Sequence, residues 1–220
     1  EIGVVQPVEN IGKLCRQRGV LFHTDACQAA GYFNLDIAML HADLLSFNAS
    51  KIYGPKGSAV LYIRDGVHIP PLLHGGGQEF GLRSGTEHVA GIVGLGKAVE
   101  LVIQHSDETA RIKALRDTLW LDFQNNIPGI SLNGSREQRS PNNLNISFQG
   151  CDADMLVKKL DLEGVALSTT SACSSGLSTQ SHVLKALGTG TEKSSIRISL
   201  GRQTTQPEIS IFLTALKKIL

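Results

Sequence analysis

Apolar residues fall in short blocks separated by glycine, proline and charged positions, and the spacing inside each block predicts its conformation. Residues 7–18 read as a short helix, with Pro7 near its start and Gly19 just past its end. Val20-Leu21-Phe22 is a continuous apolar run, which predicts a buried strand ending in the polar His23-Thr24-Asp25. Runs at 43–47 and 59–63 predict two further strands. A helix between the first two would make a βαβ unit and a largely parallel sheet. In open sheets of that kind ligands collect at the carboxyl ends of strands, where Asp25 and residues 48–51 fall.

A Gly-rich loop over 71–86 leads into a helix over about 87–104, with Val89, Ile92, Val93, Gly96 and Val99 near one face. Ser106-Asp107-Glu108 reads as the cap of a helix reaching about 125, whose Ile112, Leu115, Leu119 and Phe123 stand at helical spacing. The pattern then predicts strands near 129–133 and 143–148, a helix at 152–163 and a strand at 165–168. A helix near 179–187, a strand at 195–199 and a helix at 205–219 complete it. The expected architecture is α/β: residues 1–106 from a larger domain with a mainly parallel sheet, and 107–220 a smaller α/β domain.

A hydrophobic share of 41% is enough to fill a core, and a net charge of +1 gives no electrostatic pull toward nucleic acid or an anionic membrane. No apolar run is long enough to span a bilayer, and no signal peptide is recognised. The chain opens without Met, as a processed product or a piece of a longer polypeptide would. Cysteines stand at 15, 27, 151 and 173 with no CxxC pair, which argues against zinc or a redox dithiol; no metal site is expected, and a reducing cytoplasm fits.

Four residues carry candidate chemistry. Lys51 follows a strand and a polar turn; taken alone it reads first as a surface loop lysine, yet a lysine among apolar strand ends sheds its charge more easily, as Schiff-base chemistry needs. Asp25 ends the neighbouring strand and reads either as a cap for the next turn or as a carboxylate for a pyridinium nitrogen. Gln28 reads either as a surface residue or as a partner for a ring oxygen. Cys173 lies among small polar residues that cannot pack as core, which predicts an exposed, reactive thiol. Cys15, Cys27 and Cys151 have apolar or helical contexts and read as packing residues.

Seven segments, in order, resemble the motifs of NifS/IscS-like cysteine desulfurases, pyridoxal-phosphate enzymes of fold type I. They are Glu1-Ile2-Gly3, His23-Thr24-Asp25-Ala26-Cys27-Gln28, Lys51-Ile52-Tyr53-Gly54-Pro55-Lys56-Gly57, His74-Gly75-Gly76-Gly77-Gln78-Glu79, Arg83-Ser84-Gly85-Thr86, Ser171-Ala172-Cys173, and the stretch from Ser195 to Arg202. The resemblance implies that Lys51 is the Schiff-base lysine, that Asp25 pairs with the ring nitrogen and that Gln28 meets the ring oxygen. It further implies that Thr86 reaches the phosphate of the neighbouring subunit's cofactor in a homodimer, that Arg197 anchors the substrate carboxylate, and that Cys173 takes the sulfur as a persulfide.

The sequence departs from the family pattern before the lysine, where Ser-Gly-His is usual and Asn48-Ala49-Ser50 stands here; Asn48 and Ser50 can still donate to phosphate. Thr170 replaces the glycine often found before Ser-Ala-Cys. Two look-alikes are set aside. His74-Gly75-Gly76-Gly77 lacks any GxSxG elbow elsewhere, and the stretch from Gly188 to Ser194 lacks the Gly-Lys of a phosphate loop.

The resemblance implies conversion of L-cysteine to L-alanine, with sulfur passed to an acceptor protein for iron–sulfur clusters or tRNA thiolation. A selenocysteine lyase or another lyase on the same fold, and a non-catalytic dimerising fragment, are the alternatives. The chain resembles the C-terminal part of the family's chains. The family's ring-contacting Asn would precede Glu1 and its stacking aromatic would lie further upstream. The sequence is therefore expected to be a segment of a longer polypeptide that needs its other part.

Overall fold

The computed structural model describes residues 1–169, 181–188 and 195–220. Its contacts divide it into an N-terminal unit, Pro7–Ser106, and a C-terminal unit made of Asp107–Leu220 together with Glu1–Gln6.

The N-terminal unit is built on a sheet of three strands in the order β1 (His23–Asp25), β2 (Leu44–Asn48) and β3 (Ala59–Ile63). β1 and β2 run parallel, placing Asp25 beside Ser46, as the βαβ pattern leads one to expect. β3 returns antiparallel to β2, because the tight connection between them is too short for a parallel crossover. Val20 and Leu21 do not form the expected buried strand: they are 55% and 57% exposed, and the Val20 N–H closes the end of helix α1 (Val8–Gln17) on the Cys15 carbonyl at 3.0 Å. α1 packs on the single turn α2 (Ile37–Leu40) at Gly12, where a Cβ would meet the Leu40 carbonyl oxygen at 2.0 Å. Buried Asp43 ties the start of β1 to the end of β3, accepting the Phe22 N–H at 2.8 Å and Arg64 Nε at 2.6 Å. Its carboxyl is held below the usual range, first by the Phe22 amide and then by Arg64, against the opposing effect of desolvation.

Helix α3 (Val89–Gln104) does not bury the face its apolar residues predict. Val89, Ile92 and Val93 are exposed, and the inward positions are Gly91, Gly94 and Ala98. The backbone of residues 54–58 lies directly on this small-residue seam. A Cβ at Gly94 would stand 2.5 Å from Pro55 Cγ, one at Gly91 2.2 Å from Ser58 Oγ, and one at Gly54 3.0 Å from the Ala98 Cβ. Close approach of residues 54–58 to small positions, together with the packing of Val99 and Val102, decides which side of α3 faces in.

In the C-terminal unit, β4 (Ile130–Leu132), β5 (Asn143–Phe148) and β6 (Ser195–Ser199) form an antiparallel sheet in that order. Helices α4 (Glu108–Asn126), α5 (Ala153–Leu162), α6 (His182–Leu187) and α7 (Gln206–Ile219) complete the unit. Alternation along the strands sorts side chains to two faces. Leu144, Ile146, Ile196 and Ile198 are buried in the core, where Phe123 of α4 meets Phe148 and Phe212 edge to face. Ile112, Leu115, Leu119 and Phe123 are buried, as their spacing predicts. Helix starts are fixed by Asp152 for α5, Ser181 for α6 and a capping box of Thr205 and Glu208 for α7. α4 lacks its expected cap: Asp107 has helical backbone angles, and its side chain caps no N–H. The expected strand at 165–168 reduces to one bridge, Ser168 with Arg197.

The opposite sheet face carries Asn145, Ser147, Ser195 and Arg197. Asn133 Nδ2 donates to Asn145 Oδ1 at 2.6 Å and to Ser147 Oγ at 2.9 Å, and the Ser147 and Ser195 hydroxyls are 2.6 Å apart. Residues 1–6 run along this unit as a strap: Val4 bridges Arg139, and the Val5 N–H donates to the Gln138 carbonyl at 2.9 Å. Buried Arg139 donates to the carbonyls of Ile2, Ser135 and Asn133. Burial, then neighbouring Arg116, brings its guanidinium down to about 10, which leaves it charged at neutral pH. Among the described residues no helix is long and apolar enough to cross a membrane.

Candidate functional site

The carboxyl ends of the parallel pair β1–β2 gather four of the residues singled out from the sequence. Asp25 is the last residue of β1 and is exposed. Its Oδ1 accepts the Cys27 N–H at 2.8 Å. The Cys27 thiol beside it and then the Cys27 backbone amide hold its proton affinity below the ordinary carboxylate range. The group is therefore a fixed anion at neutral pH, pointing off the strand end.

Lys51 lies on the 3-10 turn Ala49–Ile52 that follows β2. The turn is anchored from below by buried Ala49 and Ile52 while Lys51 is exposed above it, and it ends at Tyr53 in the left-handed region, φ 64°. Asn48 caps it: its Oδ1 accepts the Lys51 N–H at 3.2 Å and the Ser50 hydroxyl at 2.8 Å. The Asn48 amide nitrogen donates in turn to Cys27 Sγ at 3.5 Å. Hydrogen bonds thus run from the Asp25 carboxylate through Cys27 and Asn48 to the amide of Lys51. The Cys27 thiol is raised first by burial and then by Asp25, while Asn48 and the Lys51 charge act the other way.

Cys27, read from the sequence as a packing residue, is thus the link of this cluster. Its position two residues after Asp25 was the available signal, since an Asp side chain bonds to the amide two residues on. Gln28 is exposed in the turn after Asp25. Thr86 is exposed at the end of the Gly-rich loop, which is organised by Ser84 Oγ donating to the Leu73 carbonyl at 2.7 Å and the Gly85 N–H donating to Gln78 Oε1 at 3.1 Å.

Arg197 belongs to the C-terminal unit, on the polar face of β6 opposite Asn145. Its backbone N–H donates to the Ser168 carbonyl at 2.6 Å, so the chain shortly before Cys173 in sequence is paired with the strand that carries Arg197. Cys173 itself lies outside the described residues.

The donor set of the N-terminal unit fits pyridoxal phosphate. A fixed carboxylate suits a protonated ring nitrogen, a solvent-accessible amine suits an aldehyde carbon, and the two are joined by one hydrogen-bonded chain. Ser50 and Thr86 offer hydroxyls on the same unit.

Comparison with known proteins points the same way. Residues 1–212 match the Aminotransferase class-V family. Cysteine desulfurase IscS of Clostridium botulinum is 44% identical over 225 residues, which cover 100% of this chain and 57% of that protein. Among solved structures, a NifS-like protein superposes with a TM-score of 0.89 at 36% identity, covering 100% of this chain and 58% of its own. SspA in complex with cysteine matches with a TM-score of 0.72 at 34% identity, covering 93% and 57%. The chain thus spans a little over half the length of the relatives it matches.

Proposed function

The chain belongs to the class-V aminotransferase family, with cysteine desulfurases among its relatives, and on that footing we propose that it acts as a pyridoxal-phosphate-dependent L-cysteine desulfurase. The observation that carries the reading is the hydrogen-bonded chain from Asp25 to Lys51 across the ends of two parallel strands. Bound there, pyridoxal phosphate supplies an electron sink for charge developing on an amino acid.

The protein's own groups divide the work. Asp25 stays anionic and holds a proton on the ring nitrogen. Gln28 hydrogen-bonds the ring oxygen. Lys51 Nζ would hold the aldehyde carbon, and Thr86 and Ser50, the latter by turning its hydroxyl away from Asn48, would bind phosphate, Thr86 that of the neighbouring subunit in a homodimer. Arg197 binds the carboxylate of L-cysteine with its planar pair of N–H donors. The Cys173 thiolate attacks the substrate sulfur: an S–S bond forms, the substrate C–S bond breaks, and a proton delivered to the freed carbon gives L-alanine. The persulfide sulfur passes to an acceptor protein for iron–sulfur clusters or tRNA thiolation, in the cytoplasm.

Borohydride reduction of the loaded protein followed by peptide mapping tests the assignment, with pyridoxyl expected on Lys51. In Cys173→Ala the same label is expected on Lys51 with L-cysteine releasing almost no sulfide. Label on Lys56 instead, or undiminished turnover in Cys173→Ala, would overturn the reading.

A further inference from the structure

Asn48 stands where the resemblance expects a serine and a phosphate contact, and its hydrogen bonds lead elsewhere. Its carbonyl oxygen is occupied twice, by the Lys51 N–H and the Ser50 hydroxyl. Its amide nitrogen is turned back across the strand ends to Cys27 Sγ. Cys27 in turn donates its backbone N–H to Asp25 Oδ1 at 2.8 Å. A single half-buried side chain therefore fixes both the turn that carries the amine and the loop that fixes the carboxylate.

We propose that Asn48 is a positioning residue for Lys51, locking the lysine turn to the Asp25 loop through Cys27, rather than a ligand of the phosphate. The proposal rests on the pyridoxal-phosphate reading and deepens it. The chemistry is geometric. The Lys51 turn is short, and its first free N–H groups have no partner within the turn. The Asn48 side chain satisfies one of them and so sets the direction in which Lys51 leaves the backbone. The seam on α3 holds the far end of the same turn, since Gly54 and Pro55 abut Ala98 and Gly94. The near end depends on Asn48.

Pyridoxal, which lacks the phosphate, separates positioning from phosphate binding. The measurement is the second-order rate at which cyanoborohydride traps pyridoxal, and separately pyridoxal phosphate, on Lys51 in the full chain, located by peptide mapping. Asn48→Ala is expected to slow trapping of both compounds to a similar degree, by about fivefold, the worth of a lost cap. Asn48→Asp keeps two acceptor oxygens for the Lys51 amide and the Ser50 hydroxyl but loses the Nδ2 donor to Cys27, and is expected to restore the pyridoxal rate only in part, the remainder being the share of the Cys27 link. Faster hydrogen exchange at the Lys51 amide in Asn48→Ala, absent in Asn48→Asp, is the accompanying readout. A loss in Asn48→Ala confined to the phosphate form, or an unchanged rate with both, overturns the positioning role while leaving the cofactor reading intact. Failure of the unaltered chain to place either compound on Lys51 overturns the cofactor reading and the positioning role together.

Discussion

A carboxylate with a thiol beside it and an amide N–H bonded to it gives up its proton more readily than a free one, and Asp25 has both from Cys27. The sign of the pH dependence follows. Because its proton affinity is lowered in the folded protein, whatever its charge contributes is fully present above the ordinary carboxylate value of 3.8 and is lost only as pH falls through the lower, folded value. Cofactor retention is therefore expected to stay flat from neutrality down to about pH 5, as read by visible absorbance. A titration centred at pH 6 and assigned to Asp25 would contradict this. Asp25→Asn, which cannot hold the ring proton, is expected to lower turnover on the order of 100-fold or more while Lys51 still takes the label. Arg197→Ala should act differently: a carboxylate anchor works in ground and transition states alike, so KM for L-cysteine should rise with little change in kcat. A fall in kcat at constant KM would remove that role from Arg197.

At the scale of elements, α3 shows how a glycine-rich helix can be ordered by what it lacks. Gly94→Val places branched carbon where Pro55 Cγ already stands 2.5 Å from the Cβ position, and the Pro55 ring cannot swing away as a flexible side chain would. The 49–58 segment must shift, so a loss of stability of about 1–3 kcal/mol and slower labelling of Lys51 are expected. Gly96→Ala is the internal control. No atom lies within 4 Å of a Cβ there, and replacing a helical glycine should stabilise by about 0.5–1 kcal/mol with labelling unchanged. Equal effects from the two substitutions, measured by thermal melting and labelling rate, would refute the seam. The same helix marks what the sequence could and could not disclose. α4 was legible because Ile112, Leu115, Leu119 and Phe123 bury bulk against bulk, and periodicity reports bulk. α3 was legible only in part: Val99 packs inward, but Gly91 and Gly94 face in through the close approach of residues 54–58, to which apolar periodicity is blind. The positions of Asp25 at the end of β1 and Lys51 on the turn after β2 were legible in the sequence. The role of Cys27 was not, since a hydrogen-bonding thiol and a packing thiol look alike in a sequence.

For the whole molecule, the two units differ in what holds them. The N-terminal unit rests on small clusters, Ala26, Leu40, Ala42 and Leu45 in one and Ala30, Ile52 and Ala98 in the other. The C-terminal unit has an aromatic and aliphatic core around Phe123, and it also binds the strap of residues 1–6 through Arg139. The single tryptophan, Trp120, is buried in this unit, so its fluorescence reports on that unit. Arg139→Ala takes the donor from three carbonyls, those of Ile2, Ser135 and Asn133, and is expected to cost about 3 kcal/mol or more. The loss should appear as an earlier Trp120 transition. A Trp120 midpoint unmoved by Arg139→Ala would show that these three hydrogen bonds contribute nothing to stability.

The two-faced sheet of the C-terminal unit has a consequence for how the gene can change length. Arg197 reaches the polar side only because it stands at an odd step from Ile196 and Ile198, which are buried among the apolar core. Inserting or deleting one codon inside β6 would invert this parity, driving the guanidinium toward the apolar core and turning isoleucines outward, and one inside β5 would likewise exchange the faces of residues such as Asn145 and Ile146. A change of two codons would restore the parity and merely slide the register. Within these two strands, tolerated length changes should therefore come in even numbers, and a codon-by-codon deletion scan should show that two-beat rhythm.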